Sequence, residues 1–279
     1  MPKIDGVVVL YNPHIQLIAN IDSYIDFVGT LFVIDNSEKK NYNIINELNR
    51  YKNIVYIDNN GNQGIAQALN LGAKLAIENV AKCLLTMDQD SKFENNDLGI
   101  MIDWIKNNNI DNIGLISPMH SNDEEILNKF HDTITMTSGN IVNLDILKRL
   151  GYFDEKLFID SVDTEYCLRL MKYDISIKRV YDVILDHNLG EMKIYKVFGF
   201  RLKSFNHNAI RRYYMMRNRM YIYKKYYHTH PKFIKSDMRR AIVQFIKIIF
   251  LERDKLSKIR YTFKGIIDYY KGNFGKLSN

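Results

Sequence analysis

Short apolar runs alternate with helix-like segments through the first 190 residues, and this alternation limits the fold more than any other sequence feature. The runs at 6–11, 31–34, 54–57 and 83–87 each stop at a cluster of polar or turn-forming residues. Helical patterns at 15–28, 41–51 and 65–80 separate them. Such alternation is typical of a mostly parallel sheet with helices on both faces. The sequence therefore predicts an α/β fold.

The pattern loosens beyond residue 90. It predicts helices at 97–106, 144–150 and 164–171, strands at 113–118, 134–141 and 175–180, and a polar loop at 120–132. From about residue 205 the pattern is helical and dense in Arg and Tyr. Because no repeat or Pro/Gly/Ser-rich linker separates the two parts, we expect them to pack together.

Charge is divided sharply along the chain. Residues 1–191 carry 17 Lys and Arg against 28 Asp and Glu, whereas residues 192–279 carry 22 against 4. The net charges are therefore −11 and +18, within a total of +7. An acidic part followed by a basic part suggests a polyanionic partner.

Cysteine usage and hydropathy indicate the compartment. Cys83 and Cys167 lie in apolar segments without metal-ligand spacing, which favours buried thiols in a reducing environment. The N-terminus lacks the apolar core of a signal peptide, and no apolar stretch reaches the roughly 20 residues that span a bilayer. We expect a cytoplasmic protein.

Two carboxylates follow the apolar run at 83–87. Asp88 and Asp90 are separated by Gln89 at the carboxyl end of the predicted strand, where open α/β sheets bind ligands. Oxygen ligands suit Mg²⁺ and Mn²⁺, which usually share them with substrate phosphates. This turn predicts a divalent metal held against a diphosphate, and a solvated turn with two capping aspartates is the alternative.

Three more polar clusters close strands, at Tyr11–Asn12, Asp35–Asn36 and Asn60–Gly64. In a parallel sheet these ends lie along one edge, so the clusters are expected to converge. A carboxylate such as Asp35 can accept from a base imide or a ribose hydroxyl, and the free N–H groups of the helix after Gly64 suit an anion. Each cluster alone is more often a turn or a cap.

Taken together, these segments resemble the family-2 inverting glycosyltransferases of the GT-A fold, and most closely their bacterial rhamnosyltransferase branch. The resemblance covers roughly residues 5–225 in order and spacing, so it does not depend on one motif. The segments that carry it are VLYNP (9–13), VIDNS (33–37), NQGIAQALNLG (62–72), DQDS (88–91), TSGN (137–140), FIDSVDTEYCLR (158–169), HNLG (187–190) and RYYMMRN (212–218).

The resemblance implies a GT-A catalytic domain at 1–204 and a basic, mainly helical region at 205–279 packed on it. It also implies a role for each matching position. The nucleotide sugar would be bound by Tyr11, Asn12, Asp35, Asn62, Gly64, Asp88 and Gln89, the acceptor side would be formed by Gly139 and Asn140, and the metal (Mn²⁺ or Mg²⁺) would be held by Asp90 and His187.

By the same resemblance Asp163 would be the catalytic base. The family often has Glu-Asp here, whereas this chain has Val162 before Asp163, which leaves Asp160 and Glu165 as rivals. An N-cap role for Asp163 is the structural alternative. For His187, a loop histidine with a satisfied hydrogen bond remains equally open.

The reaction implied is metal-dependent inverting transfer of a sugar. One carboxylate takes a proton from the acceptor hydroxyl, and a cation stabilises the departing nucleoside diphosphate. The rhamnosyltransferase branch implies dTDP-L-rhamnose as the donor, with a UDP-hexose as the alternative. The acceptor would be a lipid-linked glycan or an oligosaccharide in bacterial surface polysaccharide synthesis, for the cell wall or a capsule.

The basic tail predicts a partner of its own. Residues 238–251 place Ile242, Phe245, Ile246, Ile249 and Phe250 on one helical face, with Arg239, Arg240 and Lys247 elsewhere around the helix. Basic amphipathic helices bind anionic membrane surfaces, so we expect peripheral attachment at the inner face of the cell membrane. Packing against the catalytic domain or in a homodimer is the alternative, and the absence of a nucleic-acid motif argues against RNA.

Other classes of function use similar motifs. A haloacid-dehalogenase-type phosphatase has its nucleophile in an Asp-x-Asp at a strand end, but normally near the N-terminus. A sugar nucleotidyltransferase needs a Gly-rich loop after its first strand, where this chain has Tyr11-Asn12-Pro13. A non-catalytic glycan-binding module would not need the metal and base positions together.

Overall fold

The computed structural model describes residues 2–120, 134–187, 193–197, 200–204 and 206–277. Contacts group the chain into two compact units: residues 1–158 with 162–188, and residues 159–161 with 189–279. The domain boundary predicted after residue 204 stays a prediction. The polar loop predicted at 120–132 lies almost entirely outside the described residues.

The first unit consists of alternating strands and helices. Its strands are β1 (Ile4–Leu10), β2 (Leu31–Asp35), β3 (Ile54–Asp58), β4 (Cys83–Asp88), β5 (Ser91–Phe93), β6 (Ile113–His120), β7 (Asn140–Asn143) and β8 (Ser176–His187). Its α-helices are α1 (Gln16–Asp22), α2 (Tyr42–Leu48), α3 (Ile65–Glu78), α4 (Asp97–Lys106), α5 (Leu144–Leu150) and α6 (Val162–Lys172), with a 3₁₀ turn at Ile25–Phe27.

Within the described residues these strands form one sheet in the order β3-β2-β1-β4-β7-β6-β8-β5. The pairs β1–β2, β2–β3, β1–β4 and β6–β8 are parallel. The pairs β4–β7, β6–β7 and β5–β8 are antiparallel. The predicted α/β fold with a mostly parallel sheet is confirmed.

The core explains why the central strands have continuous apolar sequences. Every residue of β1 and β2 is buried, as expected for strands covered on both faces by helices. Helix α3 packs closely on β1 because Gly72 has no side chain, and a Cβ there would lie 2.4 Å from Cγ2 of Val7. The apolar run was therefore a sound indicator of position in the sheet.

Several predicted elements differ from the structure. The helix predicted at 15–28 ends at Asp22, and only a 3₁₀ turn at Ile25–Phe27 follows it. The strand predicted at 134–141 begins only at Asn140, because the backbone turns at Gly139 with a φ of +79° and its N–H bonds to Thr86 O. Strand β8 continues to His187 instead of stopping at residue 180, since its last residues pair with β5. Helix α6 begins at Val162, two residues earlier than predicted.

The second unit contains the hairpin strands β9 (Lys193–Val197) and β10 (Phe200–Ser204) and the helices α7 (Ala209–Tyr226), α8 (Pro231–Phe250) and α9 (Lys255–Lys271). Helices α7 and α9 approach closely at Gly265, where a Cβ would lie 2.5 Å from Tyr213 O. This part of the chain is helical, as the sequence predicted.

Buried ions hold α7 and α9 together. Glu252, just before α9, accepts from Arg212 of α7 and from Lys258 Nζ at 2.9 Å. Their side chains are almost fully buried, and burial lowers the pKa of Arg212 while the Glu252 charge opposes that shift. No described helix is long and apolar enough to cross a membrane.

Candidate active site

The carboxyl ends of β1, β2 and β4 are joined by side-chain hydrogen bonds. Gln89 Oε1 accepts from Tyr11 N at 2.9 Å, and Gln89 Nε2 donates to Tyr11 O at 3.2 Å. Asn12 N donates to Ser37 Oγ at 2.7 Å. These bonds bring three of the predicted strand-end clusters together at one edge. The side chains of Gln89 and Ser37 therefore hold the backbone of Tyr11 and Asn12 in place.

Asp35 is buried at the end of β2 with 1% of its surface exposed. Its Oδ1 accepts from Ser37 N at 2.8 Å, and its Oδ2 accepts from Tyr56 Oη at 2.7 Å. Burial raises the pKa of Tyr56, and the hydrogen bond and charge of Asp35 raise it further. Lys40 Nζ lies 3.7 Å from Asp35 Oδ2 and 2.6 Å from Asp58 Oδ1. Asp35 is thus a fixed and partly neutralised carboxylate beside the predicted base pocket.

A chain of amides supports the segment after β3. Asn59 Nδ2 donates to Asn36 Oδ1 and to Gln67 Oε1, both at 2.7 Å. Asn36 Nδ2 in turn donates to Gly64 O at 3.2 Å. Amide groups suit this position because each both donates and accepts, so buried polar atoms are satisfied without net charge.

Gly64 is the N-cap of α3 and has a φ of +91°. A Cβ there would lie 2.6 Å from Phe158 O, and Ile65 N donates to that carbonyl at 2.8 Å. Asn62 Oδ1 accepts from Gly64 N at 3.0 Å. Glycine is required here by both backbone conformation and space. Asn62 shapes the same turn from within.

Asp88 and Asp90 lie at the turn between β4 and β5. Asp88 is half-buried and its N–H donates to Ser138 Oγ at 3.0 Å, whereas Asp90 is exposed. Burial raises the pKa of the Tyr24 hydroxyl, and the negative charge of Asp88 raises it further, which places that charge near the core. The turn combines one half-buried aspartate, whose backbone is anchored, with one aspartate that solvent reaches.

The backbone of His187 lies beside this turn. It is the residue of β8 paired with Ser91, which directly follows Asp90. Its side chain lies outside what the structure describes. Among the described residues no group of three or more His, Cys, Asp or Glu could hold a metal ion on its own. Metal binding by Asp90 and His187 stays a prediction.

The segment with Gly139 and Asn140 is bound to β4. Thr86 Oγ1 donates to Thr137 O at 2.6 Å, and Gly139 N donates to Thr86 O at 2.8 Å. Asn140 is buried and its Nδ2 donates to Thr135 Oγ1 at 3.1 Å. This predicted acceptor segment is therefore held next to the strand that ends in Asp88.

Asp163 lies in the first turn of α6, half-buried, and its Oδ1 accepts from Thr164 N at 2.6 Å. Its two rivals are in ion pairs. Glu165 is fully buried and bonds to Arg169 Nη2 at 2.9 Å, and the same guanidinium donates to Tyr152 O at 2.8 Å. Asp160 pairs with Arg211 at 3.0 Å. Which of the three carboxylates is the base is not decided by these contacts, and Asp163 stays the predicted one.

A small cavity of about 10 Å³ lies behind Asp163, and Asn140, Tyr166 and Cys167 contribute to its wall. Within the described part of the chain, Asn140 Oδ1 and Tyr166 Oη are buried and have no hydrogen-bond partner. A cavity of this size has room for about one water molecule.

Several residues that shape the site were not predicted. Ser37, Asn59, Gln67 and Ser138 fix the strand ends. None of them was predicted as a site residue, because single Ser, Asn and Gln side chains are common in polar segments. The available signal was the density of amide residues after each strand. A high density of amide residues indicates strand ends that are linked by hydrogen bonds, and not ordinary solvated turns.

Comparisons with known proteins agree with this architecture. Residues 15–173 match the sequence model described as Glycosyl transferase family 2. The chain is 28% identical over 287 aligned positions to the dTDP-rhamnosyl transferase RfbF of Shigella flexneri, covering 95% of this chain and 93% of that protein.

Solved structures of S. aureus TarS have the same fold. The structure of its residues 1–349 in complex with UDP-GlcNAc superposes with a TM-score of 0.54 and 13% identity, covering 96% of this chain and 73% of that one. A larger TarS structure gives a TM-score of 0.55 and 14% identity over 96% of this chain. This chain spans 43% of that larger structure. At such identities the likeness concerns the fold alone.

Proposed function

The chain belongs to glycosyl transferase family 2 and is a glycosyltransferase, and we propose that it transfers L-rhamnose from dTDP-L-rhamnose with inversion. The acceptor is a lipid-linked glycan or an oligosaccharide in bacterial surface polysaccharide synthesis. Membership of this family removes the phosphatase, nucleotidyltransferase and glycan-binding alternatives.

One observation carries the choice of donor. The similarity to a protein named as a dTDP-rhamnosyl transferase extends over 95% of this chain and 93% of that protein. The likeness to TarS, solved with UDP-GlcNAc, concerns the fold and does not favour a UDP-hexose to the same degree.

The donor would lie along the edge formed by β1, β2 and β4. Asp35 and the exposed ring of Tyr11 are the groups for the base, with Asn62 and Gly64 shaping the pocket wall. Asp88 is the group for the ribose hydroxyls. The hydrogen bonds of Gln89 and Asn12 keep these strand ends fixed before the donor arrives, which supports binding because little order must be gained.

The donor set at the Asp88–Asp90 turn fits Mg²⁺ or Mn²⁺, since it offers carboxylate oxygens and Asp90 is exposed. Asp90 would hold the cation with the diphosphate, and His187 is the second candidate ligand. When bound, a divalent cation stabilises negative charge on the departing nucleoside diphosphate.

Asp163 would accept the proton of the acceptor hydroxyl as that oxygen attacks the anomeric carbon. The bond between the anomeric carbon and the diphosphate oxygen breaks on the opposite face, which inverts the configuration. Thr164 N holds one carboxylate oxygen of Asp163 at 2.6 Å, so the orientation of the base is set by the helix start. No covalent enzyme intermediate is required.

Acceptor delivery is proposed to use the second unit. On α8 the side chains of Met238, Ile242, Val243, Ile246, Ile249 and Phe250 are exposed. Lys235 and Arg239 are exposed on the same helix, and by helical geometry they lie on that face. For Arg239 this corrects the expectation that it lies elsewhere around the helix. Phe245 is a correction to the expected stripe, because it is half-buried with its ring 6.2 Å from that of Phe263.

Helix α9 adds a second apolar stripe, formed by Leu256, Phe263, Ile267 and Tyr270, all exposed. The stripes adjoin where Phe263 meets Phe245. Large exposed apolar surface rimmed by lysine and arginine suits an anionic lipid surface. We propose that these two stripes bind the cytoplasmic leaflet of the membrane. Formation of a homodimer through the same surface is the alternative outcome of the test.

The donor is tested by thermal stabilisation and by transfer. We expect dTDP-L-rhamnose with Mn²⁺ to raise the Tm and to support transfer, and UDP-GlcNAc to do neither. Asp90→Asn should lose the metal-dependent part of the Tm shift while Asp97→Asn, a control on an acidic residue of α4, retains it. Stabilisation by UDP-hexoses instead of dTDP-L-rhamnose would overturn the donor.

The membrane proposal is tested by co-sedimentation with liposomes of phosphatidylglycerol and phosphatidylcholine. We expect binding at low salt that weakens at high salt and that is reduced by Ile246→Asp and by Arg239→Glu. Lys276→Glu, outside both stripes, is the matched charge control. A concentration-dependent dimer in solution, abolished by Ile246→Asp, with no liposome binding would assign this face to a homodimer.

A further inference from the structure

The segment just before α6 has an unusual backbone conformation. Asp160 and Ser161 both lie in the left-handed region, with φ of +65° and +67°. Non-glycine residues rarely adopt this conformation, and two in succession persist only where neighbouring groups enforce it. The chain leaves this segment directly into Val162 and Asp163, the first residues of α6.

Helix α7 supplies the groups that hold this segment within the second unit. Asn218 Nδ2 donates to Ile159 O at 2.7 Å and to Asp160 O at 2.8 Å. The Asp160 carboxylate accepts from Arg211 Nη2 at 3.0 Å and from Arg211 Nε at 3.3 Å. One side-chain amide therefore bridges two successive carbonyls of the turn, with a second contact through the side chain of Asp160.

The orientation of the Asn218 side-chain amide is fixed by its own neighbours. It is fully buried, and its Oδ1 accepts from Arg217 Nε at 3.2 Å. The Arg217 guanidinium lies 5.0 Å from the ring centroid of Tyr214 and donates to Gly275 O at 2.8 Å. Because the guanidinium can only donate, it sets the amide with its NH₂ group toward the two carbonyls.

On the preceding side, the chain is held by the donor-binding region of the first unit. Phe158 O accepts from Ile65 N, the first residue of α3. Phe158 is therefore held within the first unit and the turn at 159–161 within the second. Asp163 follows that turn by two residues along the chain.

We propose that Asn218 is a positioning residue for the transfer reaction, which acts by holding the turn at 159–161 so that Asp163 faces the acceptor hydroxyl. The inference rests on the proposed function, in which Asp163 is the base. Misplacement of a reacting group by about 1 Å costs up to about 100-fold in rate. Loss of the amide should therefore lower kcat far more than donor affinity.

The test compares Asn218→Ala with Tyr223→Phe, a matched variant on the same helix that removes the hydrogen bond from Tyr223 Oη to Asp237. We expect Asn218→Ala to lower kcat at least about 10-fold with donor KM within about twofold. Tyr223→Phe should retain the wild-type kcat. Ser161→Gly, which adopts positive φ without strain, should restore part of the kcat in the Asn218→Ala background.

Two further readouts separate this inference from the proposed function. Amide hydrogen exchange at residues 159–164 should accelerate in Asn218→Ala and not in Tyr223→Phe, whether or not the assay substrate is correct. Arg211→Gln, at a side chain that is 47% exposed, provides a second variant with a smaller expected loss of kcat if Asn218→Ala does not fold.

The outcomes are distinct. An inactive Asp163→Asn together with a fully active Asn218→Ala would overturn the positioning role alone. A fully active Asp163→Asn would overturn the base assignment in the proposed function. Unchanged hydrogen exchange at 159–164 in Asn218→Ala would show that the amide does not hold the turn, and would overturn the inference independently of activity.

Discussion

The strand ends of the first unit and the contact between α7 and α9 in the second unit use polar side chains in different ways. At the strand ends of the first unit, neutral amides and hydroxyls such as Gln89, Asn59 and Ser37 carry the internal hydrogen bonds. In the second unit, Arg212, Glu252 and Lys258 are buried as ions and neutralise one another. The carboxylate of Asp90 in the first unit instead stays exposed. The hydrogen bonds at these strand ends are thus made largely without net charge, whereas those around Glu252 are made between ions.

The largest effect is expected from Asp163→Asn, which should abolish most of the activity and leave the fold intact. Asp163→Asn removes the proposed base but keeps an oxygen that can accept from Thr164 N, so the Tm should change little. Transfer should fall by about 100- to 10,000-fold, with donor-induced stabilisation retained. Steady-state kinetics and thermal unfolding of the same preparation check both halves. A larger loss in Asp160→Asn would move the role to Asp160.

The second prediction concerns the stability of the second unit. Glu252→Ala leaves Arg212 and Lys258 buried without their counter-ion, and it should lower the free energy of unfolding by about 3–5 kcal/mol. Urea unfolding, with hydrogen exchange of the α7 amides, measures it. Glu47→Ala is the control, since its partner Arg50 is 74% exposed and the change should stay within about 1 kcal/mol. Equal effects of the two variants would contradict the comparison.

A smaller effect is expected from backbone crowding in the first unit. Gly64→Ala combines positive φ with a Cβ 2.6 Å from Phe158 O, and it should cost about 2–4 kcal/mol. Gly61→Ala has a similar φ of +88°, but the nearest atom to its Cβ is 3.8 Å away, so about 1 kcal/mol is expected. Chemical denaturation of both variants gives the two losses of unfolding free energy, and their difference is the steric contribution of Phe158. Equal losses in the two variants would show that the close approach of Phe158 O adds nothing to the cost of a side chain at Gly64.

The smallest effect concerns pH. The pKa of His207 is lowered from 6.5 to about 4, first by burial and then by the positive charges of Arg211 and Arg212. Between those values the unfolded chain takes up a proton that the folded chain does not, so the stability of the second unit falls as pH drops from 6.5 toward 4.

His207→Gln should flatten this part of the pH profile, measured as Tm against pH. His228→Gln, at an exposed residue of the same unit, is the matched control and should retain the wild-type slope. A profile for His207→Gln that overlays the wild type between pH 4 and 6.5 would be evidence against this linkage.

Sequence reasoning was strongest where the signal is local. The helices at 97–106 and 144–150 were predicted with their observed bounds, because apolar periodicity and polar flanks both point to them. The turn at Asp88 and Asp90 was predicted from five apolar residues and the carboxylates that follow. Convergence of the strand ends followed from the parallel sheet.

It was weakest where distant residues decide. The strand predicted at 134–141 is in part a turn because Thr86, about 50 residues earlier, binds Thr137 O. The extension of β8 depends on pairing with β5, which no residue of β8 reveals. The contact between Asn218 and Ile159 O spans 59 positions. The hydrophobic periodicity of a segment does not predict contacts with residues that are distant in the sequence.

The turn at 159–161 has a consequence for how this protein can be divided. Because three residues inside the catalytic region belong to the second unit, the second unit is not a module that ends where its sequence ends. A truncation after residue 188 or 204 would leave the carbonyls of Ile159 and Asp160 without the amide of Asn218. Domain swaps among relatives would therefore have to exchange this turn and α7 together.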